Sequence, residues 1–394
     1  MSLLSMIDFE FLLLYGSLFL ICWWLYLGYL IFIYVHSSLS GKKISPGHID
    51  AEKTPYVAMI IPCYNEEQYI EQKIKNCLAL DYQKNKIFFI FADGRSTDRT
   101  QEVIQRHMQK NKQIKILISE KRGKISQLNC ALHYVNTELS TKKILIENIV
   151  ISDCDALLKK NAVTVLASYL ALKKIGVVGI SSKPERCMKE ERYFWAQQNR
   201  LRLAESVFYS PSYVIATCYG FRKDLLFQFP EDVIADDIYM SFYAIAKKYR
   251  NVYTDDSTVI EIRNPTTTKE LMYHKIRKTN AFLIELKRYF IPFLNNKGAW
   301  QLIFYTRFLQ MTIAPFLALF LLFVFIYLAF TSLTKLLPLL SLCILVFTYL
   351  LIRPEALRGL SLKLKTFVLL HLVLYYCILT FPFYRQNSAY KKTK

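Results

Sequence analysis

Two kinds of sequence alternate along this chain, and their order limits the architectures open to it. Phe11 to Val35 carries no charged residue. That run is longer than the roughly 20 apolar residues a bilayer-crossing helix needs. Three more uncharged runs lie near the other end: Phe308 to Thr334, Leu336 to Ile352 and Thr366 to Tyr384. Leu336 to Ile352 is short and holds Pro338, so a re-entrant or interfacial helix competes there with a full span. Between the apolar ends the composition becomes an ordinary soluble mixture. A soluble domain held between membrane helices is the architecture this pattern predicts.

Charge sets the expected sidedness. Asp8 and Glu10 precede the first run and Lys42 and Lys43 follow it. The positive-inside rule then puts residue 40 onward in the cytoplasm. A secretory signal peptide would be shorter and would start with positive charge. Arg353, Arg358, Lys363 and Lys365 agree with a cytoplasmic loop, whereas the basic tail at 386–394 falls outside and breaks the rule. The predicted division is a transmembrane helix in 1–40, a cytosolic domain at 50–295, an interfacial helix at 296–312, three transmembrane helices in 313–385, and the tail. The expected location is the inner (plasma) membrane.

Basic residues number 51 and acidic ones 31, a net charge of +20. The lysines are dispersed, which suits solvated surface and attraction to anionic lipid. No basic stripe interleaved with aromatics marks a nucleic-acid interface. No G-x-G-x-x-G or G-x-x-x-x-G-K-[ST] occurs, which excludes the usual dinucleotide and P-loop signatures. The nine cysteines are single and the six histidines show no i, i+4 pair. Zinc and disulfide frameworks are therefore not expected, and the soluble part suits a reducing compartment.

Within 50–295 short apolar runs alternate with helical spacing. Strands are predicted at Tyr56–Ile61, Ile87–Ala92, Ile114–Ile118 and Ile144–Ile151. Helices are predicted at Glu66–Leu80, Thr97–Gln109 and Lys124–Tyr134. This alternation argues an α/β fold with a mostly parallel sheet and helices on both faces. Ligands bind such sheets beyond the carboxyl ends of the strands. Asn65, Asp93, Asp153 and Asp155 all fall there.

Asp153-Cys154-Asp155 is the strongest local signal. Two carboxylates at i, i+2 past a buried strand suit a Mg²⁺ or Mn²⁺ ion shared with a polyanionic ligand. A plain polar turn is the competing reading, as it is for Asp93 in DGRSTD. Lys124 faces phosphate if it opens a helix, where backbone N–H groups also favour anions. Asp236-Asp237 either begins a helix, since acids suit its first turn, or supplies a general base. Glu231 and Asp232 are the nearby decoys.

Together these pieces resemble the membrane-bound family 2 inverting glycosyltransferases, which have a GT-A, Rossmann-like fold. The opening signature is Pro62 to Glu67, within VAMIIPCYNEEQYIEQKIKNCLALDY. FADGRSTDRT, KRGKISQLN, ISDCDALL, YGFRKDLL with ADD, and TRFLQMTIAPF follow in the family's order. The D-C-D spelling is that of cellulose synthases. The resemblance implies a nucleotide-sugar donor, most simply a UDP-sugar, bound by Pro62, Tyr64, Glu66, Asp93, Lys124 and Asp153. It implies Mg²⁺ or Mn²⁺ on Asp155. Asp237 becomes the base, Asp236 its orienting neighbour, and Arg277 a stabiliser of the leaving diphosphate.

Two departures stand out. The family's Q-x-x-R-W is His274-Lys-Ile-Arg277-Lys278 here, without the Gln and the Trp. Ala216 or Cys218 stands where a glycine is expected. The implied acceptor is a membrane-proximal polysaccharide or a lipid-linked sugar, with single-sugar transfer to a polyprenyl phosphate or glycolipid as the alternative. A non-enzymatic scaffold or transporter is the reading from another class. Transporters carry intramembrane polar residues, and these spans have almost none.

Overall fold

The computed structural model describes residues 3–41, 43–294, 298–331 and 360–383. Strands β1 (Tyr56–Cys63), β2 (Ile87–Asp93), β3 (Ile114–Ile118), β4 (Ile146–Ser152), β5 (Ala156–Leu158), β6 (Ile175–Pro184), β7 (Cys218–Arg222) and β8 (Arg250–Glu261) form one sheet. Their spatial order is β3-β2-β1-β4-β7-β6-β8-β5. The half containing β3, β2, β1 and β4 is parallel, as the alternation of strands and helices predicts. The other half is mixed: β7 runs antiparallel to both β4 and β6, and β5 to β8, while β6 and β8 are parallel.

Period-2 alternation explains why both faces are covered. Val57, Met59 and Ile61 of β1 enter one apolar cluster with Ile70, Ile74 and Cys77 of α3 (Glu67–Leu78). Ala58 and Ile60 enter the other, with Ile125, Leu128 and Leu132 of α5 (Lys124–Tyr134). Strands buried on both sides lose their polar alternation, which is why they stand out as continuous apolar runs. Pro62 lies in β1 opposite Ala92. The pairing of β1 with β4 ends at Ile60, so the missing N–H of Pro62 falls past that ladder.

Between these helices comes α4 (Thr100–Lys110), which starts later than its predicted Thr97. Helices α6 (Ala162–Leu170), α7 (Lys189–Phe208), α8 (Asp236–Ala246) and α9 (Thr268–Leu294) complete the soluble part. A buried charge pair ties two of these helices together. Lys275 of α9 meets Glu191 of α7 at 2.6 Å. Burial lowers the Lys275 ammonium to about 8 despite this partner.

The N-terminal apolar segment comprises α1 (Leu3–Trp23), a π-helical turn at Trp24–Gly28, and α2 (Tyr29–Ser40). Leu13–Ser40 is long and apolar enough to cross a membrane. Its polar anchor is inward: the Tyr29 hydroxyl donates to Glu205 Oε1 at 2.7 Å, and Arg307 Nε lies 3.3 Å from the same oxygen. The run predicted at Phe308–Thr334 is not one straight helix. Helix α10 (Trp300–Thr312) and α11 (Ala314–Thr331) meet at a bend of 56°. Pro315 sits at that break and has no N–H for the preceding turn.

The last described helix, α12 (Leu360–Thr380), starts before its predicted Thr366 and includes Lys363 and Lys365. Lys365 Nζ reaches Glu190 of α7 at 2.7 Å. Its first turns therefore lie against the soluble domain, which accommodates the charge. Leu360–Phe383 also has the length and composition of a membrane span. The run at Leu336–Ile352 lies outside the described residues.

Candidate active site

The acids singled out in the sequence gather at the carboxyl ends of β1, β2 and β4. After β1 the chain turns through Asn65, whose φ is +51°, a conformation asparagine tolerates better than most residues. The Asn65 N–H donates to Ser96 Oγ and Asn65 Oδ1 accepts from the Thr97 N–H. The loops after β1 and β2 are thereby tied together. Asp93 is wholly buried at the end of β2. Its Oδ1 accepts from the Ser96 N–H at 2.9 Å and Gln101 Nε2 at 2.7 Å. In this structure Asp93 therefore organises the turn; contact with a nucleoside would require part of that network to open.

Gly123 supplies the entry to α5. Its φ is +123°, which side-chain-bearing residues rarely adopt. The turn brings Lys124 to the carboxyl ends of the central strands, where Nζ bridges two acids, Asp153 Oδ1 at 2.9 Å and Asp236 Oδ1 at 2.9 Å. Asp236 opens α8 and is buried, with Oδ2 accepting from the Tyr219 hydroxyl at 2.9 Å. Asp237 stays half-buried. Its Oδ2 accepts from the Ala216 N–H at 2.8 Å and its Oδ1 from the Ile238 N–H at 2.9 Å. Burial, then the Asp236 charge beside it, push the Asp237 carboxyl up to about 6, while Lys124 opposes them.

Asp155 lies on the far side of the D-C-D turn and is held by Arg263, a residue the sequence reading passed over. Arg263 Nη2 is 2.7 Å from Asp155 Oδ2, and the same group is 3.0 Å from Glu66 Oε1. The guanidinium next to Asp155 is thus Arg263. Arg277, expected at the diphosphate, lies half-buried on α9 one turn from His274. Burial, with Lys278, Arg277 and Lys275 nearby, depresses the His274 imidazolium strongly. Lys278 lies over the Trp195 ring at 5.1 Å. Tyr64 lies under Arg122 at 5.5 Å. Pro62 is buried inside β1 and acts through the strand's path.

The decoys separate from this group. Glu231 pairs with Lys121 at the surface, and Asp232 with Arg288. Among the described residues no cluster of three or more His, Cys, Asp or Glu is placed to hold a metal ion. Asp153 and Asp155 still fit a hard divalent cation, because Mg²⁺-type sites take one or two carboxylates and complete their shell with water and substrate phosphate. Each of these carboxylates already faces a side-chain cation, so the position selects positive charge.

Residues 58–228 match the family model described as Glycosyl transferase family 2, and this segment is a glycosyl transferase family 2 domain. One relative is a dolichyl N-acetyl-alpha-D-glucosaminyl phosphate 3-beta-D-2,3-diacetamido-2,3-dideoxy-beta-D-glucuronosyltransferase of Methanococcus voltae. It is 35% identical over 83 residues, 21% of this chain and 26% of that protein. A poly-beta-1,6-N-acetyl-D-glucosamine synthase of Staphylococcus aureus is 33% identical over 121 residues, 31% of this chain and 28% of its own length. The matched segments thus cover about a quarter of each relative. A solved mannosyltransferase from Pyrobaculum calidifontis, in complex with GDP-Man and Mn²⁺, superposes with a TM-score of 0.68 at 20% identity, covering 94% of this chain and 99% of that one. The mixed sheet with its surrounding helices is GT-A-like.

Proposed function

We propose that the chain is a metal-dependent, inverting glycosyltransferase that moves a sugar from a nucleotide-sugar, most simply a UDP-sugar, to a membrane-proximal polysaccharide or lipid-linked acceptor. The observation that carries this reading is the convergence of Lys124, Asp153, Asp155, Asp236 and Asp237 beyond the strand ends of a glycosyl transferase family 2 domain. The acceptor hydroxyl attacks the anomeric carbon as Asp237 takes its proton. The new C–O bond forms as the bond to the diphosphate breaks on the opposite face, which inverts the centre. The diphosphate leaves with the bonding electrons, and Lys124 and Arg263 face the charge it develops. A divalent ion on Asp155 would supply further charge stabilisation at the diphosphate. The replacement of Q-x-x-R-W by a stretch with His274 and Lys278 supports single-sugar transfer as the second reading. Incubation with labelled UDP- and GDP-sugars and membrane extracts, with product sizing, tests both. No transfer from any donor would remove the enzyme reading, and one-sugar products would favour the second.

A base must be ionised to accept a proton, so kcat/KM is expected to fall as pH drops through about 6 and to level off above it. A profile flat across that region takes Asp237 out of the proton transfer. The domain at 50–295 is proposed to face the cytoplasm, because the Lys42–Lys43 pair follows the first span. A cysteine placed at position 110 should resist an impermeant thiol reagent in intact cells and react after lysis. Labelling in intact cells would reverse the orientation.

A further inference from the structure

We infer that Arg263 is an internal counter-ion whose release from Asp155 makes divalent metal and nucleoside diphosphate bind this site cooperatively. The inference rests on Asp155 being the metal carboxylate of the proposed function. Arg263 Nε donates to Asp155 Oδ2 at 2.8 Å, while Nη1 and Nη2 donate to Glu66 Oε2 and Oε1 at 3.3 and 3.0 Å. Its guanidinium also lies over the Tyr69 ring, 5.1 Å from the centroid. A planar fork held by two carboxylates and a ring is preorganised for this bridging position. The backbone is fixed beside it, since the Ile262 N–H donates to the Asp155 carbonyl at 3.0 Å. Release is therefore a side-chain movement.

A metal ion approaching Asp155 alone meets a fixed positive charge on the oxygen it needs. It must dislodge Arg263 or bind next to it, and either outcome weakens the site. A diphosphate alters both terms. Its oxygens complete the ion's shell and accept the guanidinium N–H groups that leave Asp155. Lys124 stands in the same relation to Asp153, so both carboxylates of the D-C-D turn are neutralised from within the chain. Linkage requires the effect to be reciprocal: metal must tighten nucleotide as much as nucleotide tightens metal.

The test is Mn²⁺ binding to the full chain in detergent, read from the EPR signal of free Mn²⁺, without nucleotide and with UDP or GDP. Wild type, Arg263→Met, Arg263→Lys and the double variant Glu66→Gln/Arg263→Met are compared. The double variant removes both charges of the Glu66–Arg263 pair, so the buried Glu66 carboxylate is not left uncompensated if Arg263→Met alone fails to fold. Nucleotide should tighten Mn²⁺ on wild type by about tenfold or more, a typical coupling. In the Met-containing variants Mn²⁺ alone should bind about tenfold tighter than to wild type, with the nucleotide's gain correspondingly smaller. Arg263→Lys, which keeps the charge, should stay nearer wild type. Folded Met variants that bind Mn²⁺ alone no tighter than wild type would overturn the inference while leaving the metal site standing. Wild type that takes up no Mn²⁺ with either nucleotide would remove the metal site and the inference with it.

Discussion

Asp237→Asn is expected to lower sugar transfer by about 10²–10⁴, the usual cost of losing a general base, while UDP binds about as tightly as to wild type. The two readouts separate because Asp237 and the proposed nucleotide contacts sit on different elements. Asp237 is the second residue of α8 and has its carboxylate on the Ala216 and Ile238 N–H groups. Lys124, Asp153 and Asp155 belong to α5 and the turn after β4. Asn keeps the shape but not the basicity. Asp236→Asn is expected to cost less rate and more stability, since Asp236 is the buried partner of Lys124 and Tyr219. Glu231→Gln should be near neutral, because its pair with Lys121 is exposed and such pairs contribute little. Transfer at the wild-type rate by Asp237→Asn would end the mechanism even with the fold intact. Loss of UDP binding would move the residue into the donor site.

The contrast between these neighbouring acids was only half visible in the sequence. The acids at strand ends were legible because β1, β2 and β4 are buried on both faces and read as unbroken apolar runs, after which a carboxylate is conspicuous. The second half of the sheet leaves a weaker mark in the sequence. Strand β5 has three residues, and β8 carries exposed Asp255 and Asp256 at a register irregularity opposite Ile180 and Ser181. Neither shows a clean period of two. Arg263 escaped for another reason. Its partners Asp155 and Glu66 are 108 and 197 positions away, a distance that no local pattern spans. Its sole sequence signal is a basic residue between the apolar run of β8 and Pro265. The Q-x-x-R-W register instead drew attention to Arg277, which the fold places on α9. The candidate membrane helices followed the opposite course. Their composition was plain, but the early start of α12 depends on packing against α7, which hydropathy does not record.

Asp155→Asn is expected to abolish the metal dependence of transfer together with most of the transfer itself. Charge stabilisation by a bound metal is worth several kcal/mol, so the rate should fall by roughly 10³. The fold should tolerate the change. Asn is isosteric, the Asp155 carbonyl still accepts from the Ile262 N–H, and Arg263 keeps Glu66 as its buried partner. The melting temperature should therefore lie close to that of wild type. Adding chelator to wild type should bring its rate down to that of the variant, whereas chelator added to the variant should change little. The two manipulations then converge because they remove the same interaction from opposite sides. Chelator acting as strongly on the variant as on wild type would place the metal elsewhere. Full turnover of wild type in excess chelator would return Asp153 and Asp155 to the simpler role of anchoring Lys124 and Arg263. The diphosphate would then rely on those two side-chain cations.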